Sequence, residues 1–400
     1  MDIISFFTYL LELLVFLYLG GAALYILVFA IAGLFSIKKR NRIGNKQRKV
    51  AVLIPGYKED AVIVEVARRA LEQSYEASLF DVVVIADSFQ PITLEKLRRL
   101  PIKLIEVSFE KSTKSKALNA AMAEIGDDYQ VALVLDADNV MEYDFVERIN
   151  NAFNRGFKVV QGHRVAKNTN TSFAILDAIS EEVNNHIFRK GHRVLGLSSA
   201  LIGSGMAFDY YFFKKTMSEV NAVGGFDKEL ELKLLRDRTI IEYLPKAIVY
   251  DEKVQKSEVF SNQRRRWLSA QFIYFRRFVL SGLRELFFKG NVDFADKVYQ
   301  MISPPRILLL GGVGACTTLY LLHQLLGLEL LQLPSAFWYT VFACTVVAFM
   351  FSIPKAYYSG STARAVGQIP KAFWIMFASL FRLKGANKKF IHTQHGTVNT

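Results

Sequence analysis

Cysteine is almost absent from this chain of 400 residues, which contains only Cys316 and Cys344, both within apolar segments. A disulfide framework is therefore excluded, and a cysteine-rich zinc module is excluded with it. Polar sequence is also scarce, because 52% of the residues are hydrophobic, 32 are phenylalanine, and the mean hydropathy is +0.20. This composition excludes collagen, coiled coils and disordered chains, and it predicts membrane segments.

Charged side chains are missing from three stretches that are long enough to cross a bilayer, for which about 20 apolar residues are needed. These stretches are residues 13–37, 307–328 and 330–354. The first follows Asp2 and Glu12 without a basic segment before it, and it is longer than the core of a signal peptide. We therefore predict a retained membrane anchor.

The basic residues lie on one side of the three stretches. After the first stretch come Lys38, Lys39, Arg40, Arg42, Lys46, Arg48 and Lys49, and after the third come Lys355, Arg364 and Lys371. The link 327–334 carries Glu329 and neither Lys nor Arg. Because cytoplasmic loops are enriched in Lys and Arg, we predict an integral protein of the inner or plasma membrane whose soluble part and C-terminus are cytoplasmic. Topology and contact with membrane lipids then explain much of the net charge of +13, and no nucleic-acid partner is needed.

Two further segments combine basic and aromatic residues, as helices do that lie in the lipid headgroup region. They are residues 261–288 and 369–384. The second segment could also form a short fourth span, although its apolar run is shorter than a full crossing.

The soluble portion, about residues 49–262, alternates short β-rich runs with stretches of helical spacing. The β-rich runs end in small or polar residues and cover 50–54, 81–85, 130–135 and 156–160. The helical stretches cover 60–71 and 114–124. This alternation predicts an α/β fold with a mostly parallel sheet that is covered on both faces. In such a sheet the ligand binds at the carboxyl ends of the strands, where the polar residues should converge.

Asp136 and Asp138 directly follow the apolar run 131–135. Two carboxylates one residue apart at the end of a buried strand can share a hard cation such as Mg²⁺ or Mn²⁺, with positions left open for phosphate oxygens. The alternative is a solvated turn, because Asp-x-Asp occurs often by chance.

Two clusters of basic residues could bind a ligand, but each also has an interpretation without a role in catalysis. In residues 263–267, Arg266 could face a diphosphate, Gln263 could donate or accept hydrogen bonds, and Trp267 could stack on a sugar; the alternative is a patch that binds anionic lipid. In residues 111–119, Lys116 and a helix N-terminus could hold phosphate, and the alternative is a solvated basic turn.

Taken in chain order, these motifs resemble the inverting family 2 glycosyltransferases that have a GT-A fold and membrane helices, a group that includes polysaccharide synthases and ceramide glucosyltransferases. The resemblance covers about residues 50–280. It is carried by residues 55–59, Asp87, residues 116–119, 136–138, 203–205, 224–226 and 263–267.

The resemblance implies a role for each matching residue. Glu59 and Asp87 would hold the nucleoside, Lys116 would approach the nucleotide, and Asp136 would support the nucleotide-sugar while Asp138 binds the metal. The pyrophosphate and acceptor site would be lined by Gln263, Arg266 and Trp267.

Two positions depart from the family pattern. Lys58 stands where the family usually has asparagine. The family's catalytic base is the aspartate of an acidic run after Gly-Gly-Phe; in this chain the run covers residues 228–232, and Glu229 stands at the base position. Asp227 is a second candidate for the base, and the sequence leaves the choice open.

The resemblance implies an inverting glycosyltransferase that moves a sugar from a nucleotide-sugar, by expectation a UDP-sugar, to a membrane-associated acceptor. The product would be a β-linked polysaccharide or a single glycosylated lipid. A nucleotidyltransferase would also need paired carboxylates and a metal, and a transporter is the non-enzymatic alternative.

The expected organisation has five parts. They are a membrane helix at 1–37, a cytoplasmic GT-A domain at 38–262, interfacial helices at 263–306, two membrane helices at 307–354, and an amphipathic helix with a tail at 355–400. For residues 390–396 of the tail, one hypothesis is that they fold back toward the mouth of the active site, and the alternative is a disordered tail.

Overall fold

The structure is a computed structural model that describes residues 3–38, 40–220, 222, 225–255, 257–328 and 330–383, with only the backbone described at 257–260 and 262. Lys39, Gly224 and Glu329 lie outside the described residues, and so does the tail segment 390–396, for which folding back is one hypothesis.

The described residues form eight strands. They are β1 Val50–Tyr57, β2 Phe80–Asp87, β3 Lys103–Val107, β4 Val131–Val134, β5 Val140–Met141, β6 Val159–Ala166, β7 Met206–Asp209 and β8 Ile241–Asp251. The four predicted runs correspond to β1, β2, β4 and β6. The prediction for β6 was displaced, because the strand begins at Val159 and continues beyond Gly162.

Some helices of the described residues pack on the strands, and others form a separate apolar bundle. They are α1 Ile3–Ala32, α2 Ile63–Ala70, α3 Pro91–Arg98, α4 Lys114–Glu124, α5 Phe145–Phe153, α6 Ser172–Asn184, α7 His192–Val194, α8 Tyr210–Ser218, α9 Phe226–Arg236, α10 Ser257–Lys289, α11 Val292–Ile302, α12 Arg306–Leu325, α13 Ser335–Ser352, α14 Gly360–Val366 and α15 Ile369–Leu380. A wider helical turn at Asn185–Gly191 joins α6 to α7.

All eight strands belong to one sheet with the order β3-β2-β1-β4-β7-β6-β8-β5. The first half is parallel, as predicted, since β1 pairs in parallel with β2 and β4, and β2 pairs in parallel with β3. The second half is mixed: β7 is antiparallel to both β4 and β6, whereas β6 and β8 are parallel. The sheet is therefore mostly parallel, and its mixed half brings β8 toward the end of β4.

Helices cover both faces of the sheet. Alternate residues of a strand point to opposite faces, so neighbouring residues of one strand belong to different cores. Leu53 of β1 belongs to a core with α4, α8 and α9, and its neighbour Val52 belongs to a second core with α2 and α5. Both side chains are fully buried. A strand that is apolar on both faces is typical of the centre of such a sheet, and it places the polar residues at the strand ends.

Three of the described helices, α1, α12 and α13, are long and apolar enough to cross a membrane. They overlap the three predicted stretches, although α1 begins at Ile3 and ends at Ala32, earlier than the predicted 13–37 at both ends. Helices α1 and α13 run in the same direction, since Phe16 stacks on Phe337 at 5.5 Å and a Cβ placed on Gly20 would lie 3.4 Å from Val341. Tyr320 of α12 donates a 2.8 Å hydrogen bond to Glu12. These contacts put the start of α1 and the link between α12 and α13 at the same end of the bundle.

The two segments with basic and aromatic residues are both helical. Helix α10 is 33 residues long and packs against α11 and α15. Helix α15 has 12 residues, a length of about 18 Å that falls short of the roughly 30 Å of a hydrocarbon core.

Candidate active site

Asp87 ends β2 beside the end of β1, where it pairs with Tyr57 in the parallel register. The Asp87 side chain is buried and accepts a 2.9 Å hydrogen bond from the Ser88 hydroxyl. Lys58 and Ser88 both have left-handed backbone angles, with φ of +56° and +59°. Such angles are uncommon outside glycine, and here they turn the chain away from each strand end. The two turns leave an open edge at the carboxyl ends of β1 and β2.

A cleft of about 290 Å³ lies at the neighbouring carboxyl ends of β2 and β3, and Ala86, Ser88, Phe89, Leu94, Glu106, Val107 and Ser108 line it. The half-buried Glu59 lies on the neighbouring turn, where its carbonyl accepts hydrogen bonds from the backbone of Val62 and Ile63 at the start of α2. The cleft thus combines apolar walls with polar groups at the ends of two parallel strands, the usual place for a ligand in an α/β sheet.

The Asp136–Asp138 turn follows β4 at the same edge of the sheet. Its backbone is fixed by the Ser204 hydroxyl, which lies 2.9 Å from the Asp136 amide nitrogen and accepts its hydrogen bond. The Asn139 side-chain amide donates to Asp138 at 3.2 Å and to Asp251 at 3.0 Å. Asp251 ends β8 and was not among the predicted site residues. It reaches the turn because the mixed half of the sheet brings the ends of β4 and β8 together.

The carboxylates of Asp136, Asp138 and Asp251 form one cluster, in which one oxygen of each lies within 4.8 Å of the others. Three hard oxygen donors at this spacing fit a divalent cation such as Mg²⁺ or Mn²⁺. Cations contact both oxygens of Asp251, with Lys253 at 2.8 Å and Arg164 at 3.4 Å. Cations also contact both oxygens of Asp136, with Lys114 at 2.5 Å and Arg164 at 3.8 Å. Asp136 and Asp138 are the ligands that the sequence predicts, and Asp251 is a third candidate.

A buried network of ion pairs includes Asp251 of the cluster. Arg164 and Lys253 pair with Asp251, and both also contact Glu181, Arg164 at 2.9 Å and Lys253 at 3.6 Å. Burial alone would raise the pKa of Asp251, but Arg164 and Lys253 hold the pKa below its usual value. Asp251 and Glu181 thus remain ionised, and Arg164 and Lys253 balance their negative charge.

Lys114 is the lysine of α4 that reaches the cluster. Its ammonium lies 2.5 Å from Asp136 and donates a 2.7 Å hydrogen bond to the carbonyl of Gly203. Lys116, which the sequence pattern suggested, is exposed and donates to the carbonyl of Lys111 at 3.1 Å. Residues two apart on a helix point to nearly opposite sides, so only one of these two lysines can face the strand ends.

The two candidates for the base lie in the first turn of α9. Asp227 is beside the Gly203 turn, because a Cβ placed on Gly203 would lie 3.6 Å from the Asp227 carboxyl carbon. Gly203 in turn contacts Lys114, which connects Asp227 to the carboxylate cluster. Glu229 is 2% exposed, and its carboxylate lies 3.8 Å from Lys233 and 3.3 Å from Arg277 of α10. Glu229 thus contacts α10, whereas Asp227 lies beside the turn that Lys114 joins to the cluster.

Gln263, Arg266 and Trp267 lie on the first half of α10, together with Arg264. Arg264 is buried, pairs with Asp177 of α6 and lies 4.5 Å from the Trp267 ring centroid. Gln263 and Arg266 are half-buried, and burial lowers the pKa of Arg266. Trp267 is 39% exposed, so part of its ring surface remains open to a ligand.

Sequence reasoning missed Lys114, Arg164, Asp251 and Lys253. A signal existed for Asp251, because this aspartate follows the apolar run 247–250 in the same way that Asp87 follows the apolar run 82–86. No local pattern marks Arg164 or Lys253, because the partner that they share besides Asp251 is Glu181, which lies on α6.

Comparisons with known proteins identify the family and the fold. Residues 47–270 match a family described as glycosyltransferase like family 2. The probable glycosyltransferase YdaM of Bacillus subtilis (strain 168) is 25% identical over 236 residues, which cover 55% of this chain and 54% of that protein. The chain thus spans about half the length of this curated relative.

Among solved structures, the mannosyltransferase PcManGT from Pyrobaculum calidifontis, in complex with GDP-Man and Mn²⁺, is similar with a TM-score of 0.50 and 16% identity. The likeness covers 85% of this chain and 97% of that one, and it confirms the predicted GT-A fold. The family match extends over more than half of the chain and includes all the carboxylates described above. The chain therefore belongs to the family 2 glycosyltransferases, enzymes that transfer sugars.

Proposed function

We propose that this enzyme transfers a sugar from a UDP-sugar to a hydroxyl group of a membrane-associated acceptor, with inversion at the anomeric carbon. The observation that carries the proposal is the Asp136–Asp138–Asp251 cluster at the strand ends of a family 2 domain, in a chain with three apolar helices. The product is a β-linked polysaccharide or a glycolipid. The small number of spans favours a lipid or a short glycan, because three helices are few to enclose a polymer channel.

The nucleotide part of the donor binds at the ends of β1 and β2 in this proposal. Asp87 and Glu59 hold the nucleoside beside the cleft of about 290 Å³, and Asp136 supports the diphosphate. Lys116 remains a candidate for the nucleotide because it is exposed near the start of α4. Lys114 joins it as a new candidate, since it already contacts Asp136.

Asp138 and Asp136 hold a Mg²⁺ or Mn²⁺ ion in this proposal. When bound, such an ion neutralises negative charge on the diphosphate. The protein supplies the rest of the electrostatic environment: Asn139 orients Asp138, and Arg164 and Lys253 hold Asp251 in its ionised form beside the two ligands. PcManGT, which shares the fold, is in complex with Mn²⁺ and so supports a divalent cation.

A carboxylate in the first turn of α9 accepts the proton of the acceptor hydroxyl as its oxygen attacks the anomeric carbon. Two carboxylates compete for this role. The contact of Asp227 with the Gly203 turn favours Asp227, and the pairing of Glu229 with Lys233 and Arg277 favours a structural role for Glu229. A single displacement needs one base and no nucleophilic carboxylate, which is why inversion follows.

The nucleoside diphosphate leaves as negative charge develops on its oxygens, and a cationic side chain aimed at that charge lowers the barrier. Arg266 is proposed for this role, with Gln263 as a hydrogen-bonding partner and the exposed part of Trp267 as a wall for the acceptor sugar. The enzyme is proposed to lie in the inner or plasma membrane with α1, α12 and α13 as spans and the catalytic domain in the cytoplasm.

The test is a panel of radiolabelled nucleotide-sugars with the enzyme reconstituted in lipid nanodiscs, followed by extraction into solvent and sizing of the product. The panel includes UDP-sugars and, because PcManGT is in complex with GDP-Man, GDP-mannose. We expect labelled sugar in a lipid or glycan fraction and release of UDP. Release of pyrophosphate would instead indicate nucleotidyl transfer, and uptake of intact donor into sealed vesicles would indicate transport.

A further inference from the structure

Glu181 of α6 is a buried carboxylate that has no role in the reaction proposed above. Its Oε2 lies 2.9 Å from Arg164 and 3.6 Å from Lys253, and its Oε1 lies 3.3 Å from Arg189. All four side chains are buried. Burial alone would raise the pKa of Glu181, but Arg164, Lys253 and Arg189 lower it. Glu181 is thus an ionised carboxylate that holds three cations in place.

Two of these cations also contact the carboxylate cluster. Arg164 divides its guanidinium between the two places, since its Nη2 contacts Glu181. The other terminal nitrogen, Nη1, lies 3.4 Å from Asp251 and 3.8 Å from Asp136. Lys253 shares a single ammonium in the same way, at 2.8 Å from Asp251 and 3.6 Å from Glu181. Glu181 therefore competes with the cluster for the same two cations.

This competition bears on how well the cluster can hold a metal ion. A side-chain cation and a divalent cation repel each other, and both are attracted to the same carboxylate oxygens. When Glu181 attracts the two cations more strongly, the oxygens of Asp136 and Asp251 become more available to the ion. We propose that Glu181 is a positioning residue that draws Arg164 and Lys253 away from these oxygens and thereby raises the affinity of the cluster for Mg²⁺ or Mn²⁺. This inference rests on the proposed function, in which the cluster holds the ion.

Arg189 limits how strongly Glu181 attracts the other two cations, because it neutralises part of the same carboxylate. It lies on the wider helical turn Asn185–Gly191, and such π-type turns are rare and frequent at functional sites. Its side chain is fixed there by hydrogen bonds to Asn185 at 2.6 Å and to the carbonyl of Ala200 at 3.2 Å. Removal of Arg189 should therefore have the opposite effect on the cluster from removal of Glu181.

The test measures Mn²⁺ binding by the full-length enzyme in nanodiscs after chelation of any bound metal, with free Mn²⁺ read from its electron paramagnetic resonance signal. Glu181→Gln should weaken binding about 10–100-fold, as the loss of a residue that supports metal ligands usually does. Arg189→Met should instead strengthen binding, because Glu181 then attracts Arg164 and Lys253 more strongly. The thermal midpoints of both variants should fall, since each leaves a buried charge with a partner fewer. A purely structural role would not shift the two affinities in opposite directions.

Glu182→Gln is the matched control. It removes the same charge at the next position of α6, where the carboxylate lies 3.1 Å from His163. Adjacent residues of a helix do not face each other, so this variant should leave the Mn²⁺ affinity unchanged. An equal loss of affinity in Glu181→Gln and Glu182→Gln would indicate a general effect of charge and overturn the proposal.

Glu181→Asp keeps the charge and should recover part of the affinity that Glu181→Gln loses. If Glu181→Gln does not fold, Arg189→Met decides, and unchanged or weaker Mn²⁺ binding by that variant would overturn the proposal. Asp138→Asn separates this inference from the proposed function. If it binds Mn²⁺ as well as the unmodified enzyme does, the proposed cation site is refuted. If it binds Mn²⁺ weakly while the Glu181 and Arg189 variants match the unmodified enzyme, the cation site stands and this inference fails.

Discussion

Tyr25 of α1 donates a 2.7 Å hydrogen bond to Asp296 of α11, and this contact joins the first apolar helix to the helix that precedes the second. The buried His192 completes the junction: its Nε2 lies 3.2 Å from the other Asp296 oxygen, and Phe29 stacks on its ring at 3.7 Å. Burial alone would raise the pKa of Asp296, but the hydrogen bond and charge of His192 lower it. Helix α1 is thus attached to the rest of the protein by a specific polar contact.

Tyr25→Phe should destabilise the protein by about 1–3 kcal/mol, because a buried carboxylate loses a hydrogen-bond donor. The measurement is the thermal unfolding midpoint of the purified protein in detergent. Tyr9→Phe is the matched control, since Tyr9 is an exposed tyrosine of the same helix. Equal midpoints for the two variants would show that the junction does not stabilise the fold.

Asp138→Asn should lower turnover at least about 100-fold while the protein remains folded, because a metal ligand whose electrostatic effect is several kcal/mol is lost. Chelation with EDTA should have the same effect on the unmodified enzyme, and added Mg²⁺ or Mn²⁺ should reverse it. Asp127→Asn, which breaks only the surface pair with Lys214, is the control. Full activity in EDTA would remove the metal from the mechanism.

Asp227→Asn should lower turnover by about 10²–10⁴-fold with donor binding retained, the usual contribution of a general base. Glu229→Gln should chiefly lower the thermal midpoint, because Lys233 and Arg277 lose the charge of their partner. The measurements are single-turnover transfer, donor affinity and thermal unfolding for both variants. If folded Glu229→Gln is inactive while Asp227→Asn is active, the roles are reversed and Glu229 is the base.

Lys253→Met should destabilise the domain by about 3–5 kcal/mol, because it leaves Asp251 and Glu181 buried with one cation fewer. A carboxyl group whose pKa is lower in the folded state stabilises the protein above its unfolded pKa, near 3.9 for aspartate, and that stability is lost as the pH falls through the folded pKa. The variant raises the pKa of Asp251, so acid unfolding should begin at a higher pH than in the unmodified protein. Lys246→Met, at an exposed position of β8, should leave the acid transition unchanged.

A fluorescent protein fused to the C-terminus should fluoresce, as it does only in the cytoplasm, and an alkaline phosphatase fusion there should be inactive. The reason is that α15, with 12 residues, is too short to cross, so three spans leave the C-terminus on the side opposite to the N-terminus. An active phosphatase fusion would mean that α15 forms a fourth span.

The sequence by itself determined the parts of this protein that depend on local patterns. Uninterrupted apolar runs identified α1, α12 and α13, because crossing a bilayer depends on length and polarity alone. Apolar runs that end in Asp87 and Asp136 identified the strand ends of the parallel half of the sheet. The helix α4 begins and ends at the predicted residues, Lys114 and Glu124.

Only the tertiary structure decided which polar side chains meet. Lys114 rather than Lys116 faces Asp136, and Asp227 rather than Glu229 faces the Gly203 turn, because residues two apart on a helix point to nearly opposite sides and the packing of the helix selects one. Asp251 joins the cluster only because antiparallel β7 brings the second half of the sheet beside β4. Such pairings depend on the order of strands in space, which no local pattern encodes.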